Sequence, residues 1–174
     1  MSNISYINNQ ILNETIYLSY NEINIKDINQ ILRNKLIEKK EGKCYNNGYI
    51  IRGSIDMISK TLGKLVNLDS ENKLLYNIKF SANILEPSKD DIIDCYIDNI
   101  NKMGIIAYIK FKDIISGNED NNTLQESPLI IIIPYQTVEN IDEMNIGKKI
   151  KVKINAIRIK FNADKIQIVG EIVN

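Results

Sequence analysis

Residues 76–84 alternate apolar and polar side chains without a break, with Tyr76, Ile78, Phe80, Ala82 and Ile84 set against Asn77, Lys79, Ser81 and Asn83. A period of two puts each set on its own side of a β-strand, so this segment is a strand with one buried face. Pro87 ends it, because proline has no backbone donor for a central ladder. A fresh apolar run starts at Ile92 and is punctuated by Gly104 in a short Lys-Met-Gly turn. One β unit ends here and another begins, so the fold has two parts.

A chain of 174 residues suffices for one ordinary domain or two small ones. The Pro87 junction divides it into residues 1–86 and 87–174. In the first part, residues 15–19 alternate as a strand, and residues 27–40 carry Ile28, Ile31, Leu32 and Leu36 at helical spacing. Asn24 or Asp27 can cap this helix, Lys39 and Lys40 suit the negative end of its dipole, and Gly42 can terminate it. Residues 43–59 read as two strands around Asn46-Asn47-Gly48, a hairpin signal, and residues 62–68 as a further strand before the long one. One helix on an antiparallel sheet is an α+β layer.

Beyond Pro87, strands are expected at 92–100, 105–111, 129–133, 149–161 and 165–172, the five of an all-β OB-fold barrel. Residues 130–133 fit either a fully buried strand or an edge guarded by Pro134. Ile150, Val152, Ile154 and Ala156 keep one phase, and the apolar set then shifts to Ile157, Ile159 and Phe161. One extra residue near Ala156 would do this as a bulge that bends a strand at a barrel corner; a strand that stops and restarts would do it equally. Residues 116–127 are polar and read as a flexible loop inserted in the barrel.

The chain has no histidine and two cysteines, Cys44 and Cys95, in separate parts. It lacks the usual structural zinc set, a Ser-His or Cys-His pair, and any Gly-rich phosphate loop, so neither enzyme activity nor a metal or cofactor is expected. Both cysteines read as buried apolar positions in a reducing compartment. Asp90, Asp91, Asp94 and Asp98 form a dense carboxylate cluster. On one strand face Asp94 and Asp98 would stand about 13 Å apart, too far to couple, which leaves a solvated acidic face.

Net charge is zero, so any nucleic-acid contact must be local. Lys151 and Lys153, and past the proposed bulge Arg158 and Lys160, alternate with buried positions as one outward stripe. With Lys148, Lys149 and Lys165 they make a positive field suited to phosphates, the plain alternative being an ordinary solvated face. Tyr96 and Tyr108 fall on the polar phase of the first two barrel strands and can serve as stacking platforms, while Phe111 shares the core phase. The N-terminus has no basic region followed by an apolar core, and no segment approaches about 18 uninterrupted apolar residues, so the chain reads as soluble, intracellular and without a membrane partner.

Four phrases stand in a fixed order: Glu41-Gly42-Lys43-Cys44, Gly48-Tyr49-Ile50, the Tyr76 to Ala82 alternation, and Pro87 before a barrel. This order, from about Glu14 to Val173, resembles the stalk subunit of multisubunit RNA polymerases, the family of subunit seven of RNA polymerase II and its counterpart in archaeal polymerases. The resemblance implies a noncatalytic transcription subunit whose N-terminal domain docks by a tip on the large polymerase subunits. It also implies a small helical companion, and a barrel that guides emerging single-stranded RNA or meets initiation factors. By position the tip spans residues 61–73, with Leu62, Gly63, Leu65, Val66 and Leu68 as docking residues; strand core is their other reading. Asp94 stands where many RNA-binding barrels of this fold have Gly. A free-standing RNA-binding OB module and a structural stalk that never touches RNA are the alternative functions. Heavy use of Ile, Asn and Lys, which share A/T-rich codons, favours a giant DNA virus, hence virion and infected-cell cytoplasm, with the nucleus as the setting in a cellular eukaryote.

Overall fold

A computed structural model describes residues 6–23, 27–110, 123–138 and 144–173. Asn24, Phe111 and residues 116–122 of the inserted loop lie outside the described residues. The elements run β1 (Ile7–Ser19), α1 (Ile28–Lys40), β2 (Cys44–Tyr45), β3 (Gly48–Ile50), β4 (Asp56–Lys60), β5 (Lys64–Leu68), β6 (Glu71–Leu85), β7 (Ile92–Asn101), β8 (Gly104–Tyr108), β9 (Leu129–Pro134), β10 (Lys149–Arg158) and β11 (Ile166–Ile172). They divide into two compact units, one of Ile7–Gly42 and Ile50–Ile84, the other of Met1–Tyr6, Lys43–Tyr49 and Leu85–Asn174.

The first unit is a helix on an antiparallel sheet. Strand β6 is its axis: β1 lies along one edge, and β5 and then β4 pair along its length in register Leu65↔Leu74 and Met57↔Phe80. Its alternation is the expected one, with Tyr76, Ile78, Phe80, Ala82 and Ile84 all buried. Strand β1 begins at Ile7 rather than at Thr15. The added stretch is rich in Asn and Gln and shows little hydrophobic alternation. A polar pair ties it to β6, Asn9 Nδ2 donating to Asn83 Oδ1 at 2.9 Å, and at the expected start Thr15 Oγ1 donates to Asn77 Oδ1 at 2.9 Å.

Helix α1 starts at Asp27 without a side-chain cap, and Gly42 follows its end at φ +70°, the left-handed conformation that glycine adopts without strain. Its buried stripe is Leu32, Leu36 and Lys40, four residues apart. Lys40 is therefore a core position and not just a dipole partner. Glu14 of β1 makes this tolerable: its two carboxylate oxygens take Lys39 at 2.7 Å and Lys40 at 2.5 Å. Burial opposes ionisation of Glu14, but hydrogen bonds and attraction from the two lysines outweigh it and hold its carboxyl below the ordinary 4.5. Lys35 adds a third tie, bonding Glu22 at 2.6 Å and the Tyr17 carbonyl at 3.3 Å.

The second unit contains a closed barrel in the order β7-β8-β9-β11-β10 and back to β7. All its pairs are antiparallel except β9 with β11, which run parallel in register Ile166↔Leu129 to Val169↔Ile132. This is the OB arrangement of five strands. Strand β10 carries the expected bulge, its pairing with β11 slipping between Ile154 and Ala156. A second bulge, between Ile97 and Asn99 of β7, makes Asp98 an extra residue, so Asp94 and Asp98 do not share a regular strand face. Strand β9 is neither fully buried nor an edge. Leu129, Ile131 and Ile133 fill the barrel, Ile132 faces outward, and both edges are paired. Residues 43–59 form three short strands rather than two, and the β2–β3 hairpin joins the barrel unit, Cys44 N–H donating to the Ala163 carbonyl at 2.7 Å and Asn162 N–H to the Cys44 carbonyl at 2.9 Å.

Glu14→Gln is expected to lower stability by about 3 kcal/mol at neutral pH, because it leaves a buried ammonium without its carboxylate. Folded Glu14 binds protons less readily than unfolded Glu14, so its contribution is present above about pH 4.5 and is lost as pH falls further. Urea midpoints at pH 7 and pH 3 check this: the gap between wild type and variant should shrink at pH 3, and an equal gap at both would refute the assignment.

Candidate functional site

Three adjacent strands bring one outward row together. Tyr108 of β8 stands opposite Tyr96 of β7, and Tyr96 opposite Lys149 of β10. The two rings lie 6.1 Å apart between centroids at 37°, and Lys110 Nζ sits 3.9 Å from the centre of the Tyr96 ring. This is a cation held on an aromatic face. Both residues are half-buried. Burial, and then the charge of Asp98, raise the Tyr108 phenol above its ordinary value, so it stays a neutral platform at physiological pH.

Next to this row the register sets Lys151 against Asp94 and Lys153 against Ile92. The two carboxylates of this edge pair with lysines: Lys149 Nζ to Asp94 Oδ2 at 2.8 Å, and Lys153 Nζ to Asp90 Oδ1 at 3.1 Å. All four side chains are substantially exposed, and pairs of this kind contribute at most about 1 kcal/mol to stability. The bulge keeps Arg158 on the outward side, opposite Gln167, and Lys160 is exposed just past the strand. These two are nonetheless separated from the tyrosines. Eight residues of β10 lie between Lys149 and Arg158, at most about 30 Å along the strand at roughly 3.3 Å per residue. The predicted stripe is thus two clusters, one beginning at Lys149 opposite Tyr96, the other, Arg158 and Lys160, past the bulge and just before Phe161, whose ring centroid lies 6.1 Å from that of Tyr45.

Lys165 belongs to neither cluster. Its ammonium donates to the carbonyls of Leu124, Gln125 (2.7 Å) and Ser127 (2.8 Å), closing the end of the inserted loop onto the start of β11. Ser127 in turn is buried, its Oγ accepting from Ile109 N–H and Leu129 N–H at 3.2 Å each. Ser127, the last residue of the loop, is thus built into the barrel, while Thr123 and Gln125 before it are exposed. Sequence reasoning missed Lys110, and it named Lys149 only as part of a general field. Nothing in the alternation of either strand reveals which β10 residue faces Tyr96.

In the helix-and-sheet unit, Leu62 is 93% exposed, Leu65 67% and Leu68 38%, and Val66 is half-buried. The strand-core reading of this segment fails: β5 pairs with β6 but covers no core. Gly63 has a packing reason, since a Cβ there would stand 2.6 Å from the Tyr76 hydroxyl.

No protein-family model matches the chain. It is similar to the DNA-directed RNA polymerase II subunit rpb7 of Dictyostelium discoideum, with 32% identity over 79 residues, 44% of each chain. Over that stretch the likeness supports the resemblance to the polymerase stalk subunits that the sequence phrases carry. The matched stretch spans less than half the length of this relative. The phrases that carry the resemblance are fold-determining: Gly42 occupies a positive-φ position, Cys44 and Tyr49 are buried, and the Tyr76 alternation is the inner face of β6. Among the described residues no helix is long and apolar enough to cross a membrane.

Cys44 and Cys95 are both fully buried and free. Burial, helped by Asp164, pushes the Cys44 thiol up to about 11, and burial, helped by Asp94, pushes Cys95 up to about 12. Neither supplies a thiolate at neutral pH. Native protein is expected to resist alkylation at pH 7.5 and to take two labels once unfolded; rapid native labelling at either position would show that the site opens.

Proposed function

We propose that this protein is a noncatalytic stalk subunit of a DNA-directed RNA polymerase. It docks on the large subunits through residues 61–73 and offers the Tyr96 and Tyr108 end of its OB barrel to single-stranded RNA. Kinship with subunit rpb7 supports the polymerase setting. The docking reading rests on β5, where a segment exposes Leu62 and Leu65 together without covering any core, the pattern of a surface awaiting a partner. In this reading residues 1–86 carry the docking function and residues 87–174 the RNA-facing one. A small helical companion and initiation factors are its further partners. A viral source would place the assembly in the virion and infected-cell cytoplasm, a cellular one in the nucleus.

The observation that carries the RNA reading is the row Tyr108, Tyr96, Lys149 with Lys110 above it. Ring faces accept unstacked bases, and the lysines stand where the connecting phosphates would run. Arg158 and Lys160, some 30 Å along β10 by the same spacing, extend this track for longer strands. A second reading, a structural stalk that never meets RNA, is favoured by the pairing of Lys149 and Lys153 with Asp94 and Asp90.

Docking is tested with Leu62→Asp/Leu65→Asp in the full chain. Both side chains are exposed, so the melting temperature should hold while co-purification with large polymerase subunits is lost; a variant that still co-purifies removes these residues from the interface. RNA binding is tested by anisotropy across a salt series. With about three phosphates engaged, the log–log slope should be roughly −2 for single strands. Tyr108→Ala should cost about 1 to 3 kcal/mol with the slope unchanged. Arg158→Ala should weaken oligomers of about 12 nucleotides but not of about 4. Binding indifferent to all of these substitutions leaves the structural stalk as the function.

A further inference from the structure

We propose that Asp90 and Asp94 are specificity determinants of the barrel face, built-in counter-ions that make it accept single strands and reject duplexes. The inference rests on the RNA reading above and assigns these carboxylates a role within it.

The fold has no evident need of either charge. Their ion pairs are solvent-exposed, the class that stabilises least. The turn leading into β7 is held by other groups. Asp91 Oδ2 accepts from Ser88 N–H at 2.8 Å, and the backbones of Asp90 and Asp91 exchange hydrogen bonds with Ile154 at 2.9 Å each. Asp90 itself sits at φ +72°, a conformation that asparagine adopts as readily as aspartate. Asp94 stands between two lysines of β10, paired with Lys149 and opposite Lys151 in the register.

Their effect on a ligand depends on what the ligand offers. Four cations, Lys110, Lys149, Lys151 and Lys153, run from the tyrosine pair along β10, with Asp94 and Asp90 paired among them, while Asp98 acts on Tyr108 from β7. A phosphate must displace or share a carboxylate to reach Lys149 or Lys153, so each such contact is weakened. A base stacking on Tyr108 displaces no ion pair, and one stacking on Tyr96 displaces only Lys110 from the ring, a cation that can then meet the phosphate. Single-stranded RNA binds through both kinds of contact and keeps the stacking part. A duplex holds its bases stacked inside and depends on phosphates and groove edges, so it loses most of its hold. The carboxylates therefore bias the face toward ligands with free bases, without any base-specific contact.

The test compares Asp90→Asn/Asp94→Asn with wild type, using single-stranded and duplex RNA of one length, about 12 nucleotides, in the full chain. Asparagine keeps size and backbone conformation, and an unchanged melting temperature verifies the fold; Asp90→Asn alone serves if the double variant is unstable. Glu38→Gln/Asp56→Asn, two exposed positions in the other unit, makes the same change in net charge as a control. The double variant should bind single strands several-fold more tightly and duplex at least about ten-fold more tightly, so the preference for single strands falls. Each lysine released should steepen the slope by about 0.7 for single strands and 0.9 for duplex. The control pair should leave the preference unchanged. If wild type binds single strands through Tyr108 but the double variant keeps the same preference, this inference fails and the RNA reading stands. If neither protein binds any RNA, both fail together. If RNA binding appears only in the double variant, the carboxylates block RNA of both kinds, and the inference of a single-strand preference fails together with the RNA reading of the wild-type face.

Discussion

Closure of the barrel depends on one unusual pairing, the parallel ladder between β9 and β11. Once these two run side by side in the same direction, β10 must bridge the remaining gap, pairing with β7 through Lys149 to Lys153 and with β11 through Val152 to Arg158. A flat strand cannot serve two neighbours so differently oriented. The bulge between Ile154 and Ala156 bends it, and Gly170 allows the close approach at that corner: a Cβ there would stand 2.5 Å from the Lys153 carbonyl oxygen. Closure also removes every exposed edge, so a barrel lined with isoleucine offers no template for pairing with another chain.

The same bend distributes the charges. Before it, β10 runs beside β7 and brings Lys149 and Lys151 to Tyr96 and Asp94; after it, the strand leaves β7 and carries Arg158 along β11, opposite Gln167. Sequence alternation reported correctly that all of these lysines and the arginine face outward. It could not report that they form two clusters, because which residues stand opposite one another is set by register between strands some 50 residues apart in sequence.

The features that sequence revealed are those with a local physical cause. The inner face of β6, the bulge in β10, the glycine after α1 and the number of barrel strands each leave a mark within a few neighbouring residues. The misreadings have long-range causes. Strand β1 extends to Ile7 where Asn9 finds a partner on β6, and Lys40 of α1 can enter the core because Glu14 waits on β1. Ser127, in a segment that reads as plain loop, is buried by Lys165, about 40 residues further on. The residues around Leu62 show the opposite case: an apolar strand pattern is identical whether its side chains meet a core or solvent, and here solvent wins.

Two lysine–carboxylate pairs of similar length illustrate why geometry alone does not fix a role. Lys40 meets Glu14 at 2.5 Å with both side chains largely removed from water, so separating them exposes each charge to a medium that solvates it poorly. That pair locks α1 to β1. Lys149 meets Asp94 at 2.8 Å with about half of each side chain in water, where the attraction is weak and a competing anion can be exchanged for the carboxylate at small cost. Such a pair holds nothing in place and can gate what binds. In a chain with zero net charge, the difference between a structural lysine and one available to a ligand therefore lies in the water around its carboxylate, a property that a list of basic residues does not contain.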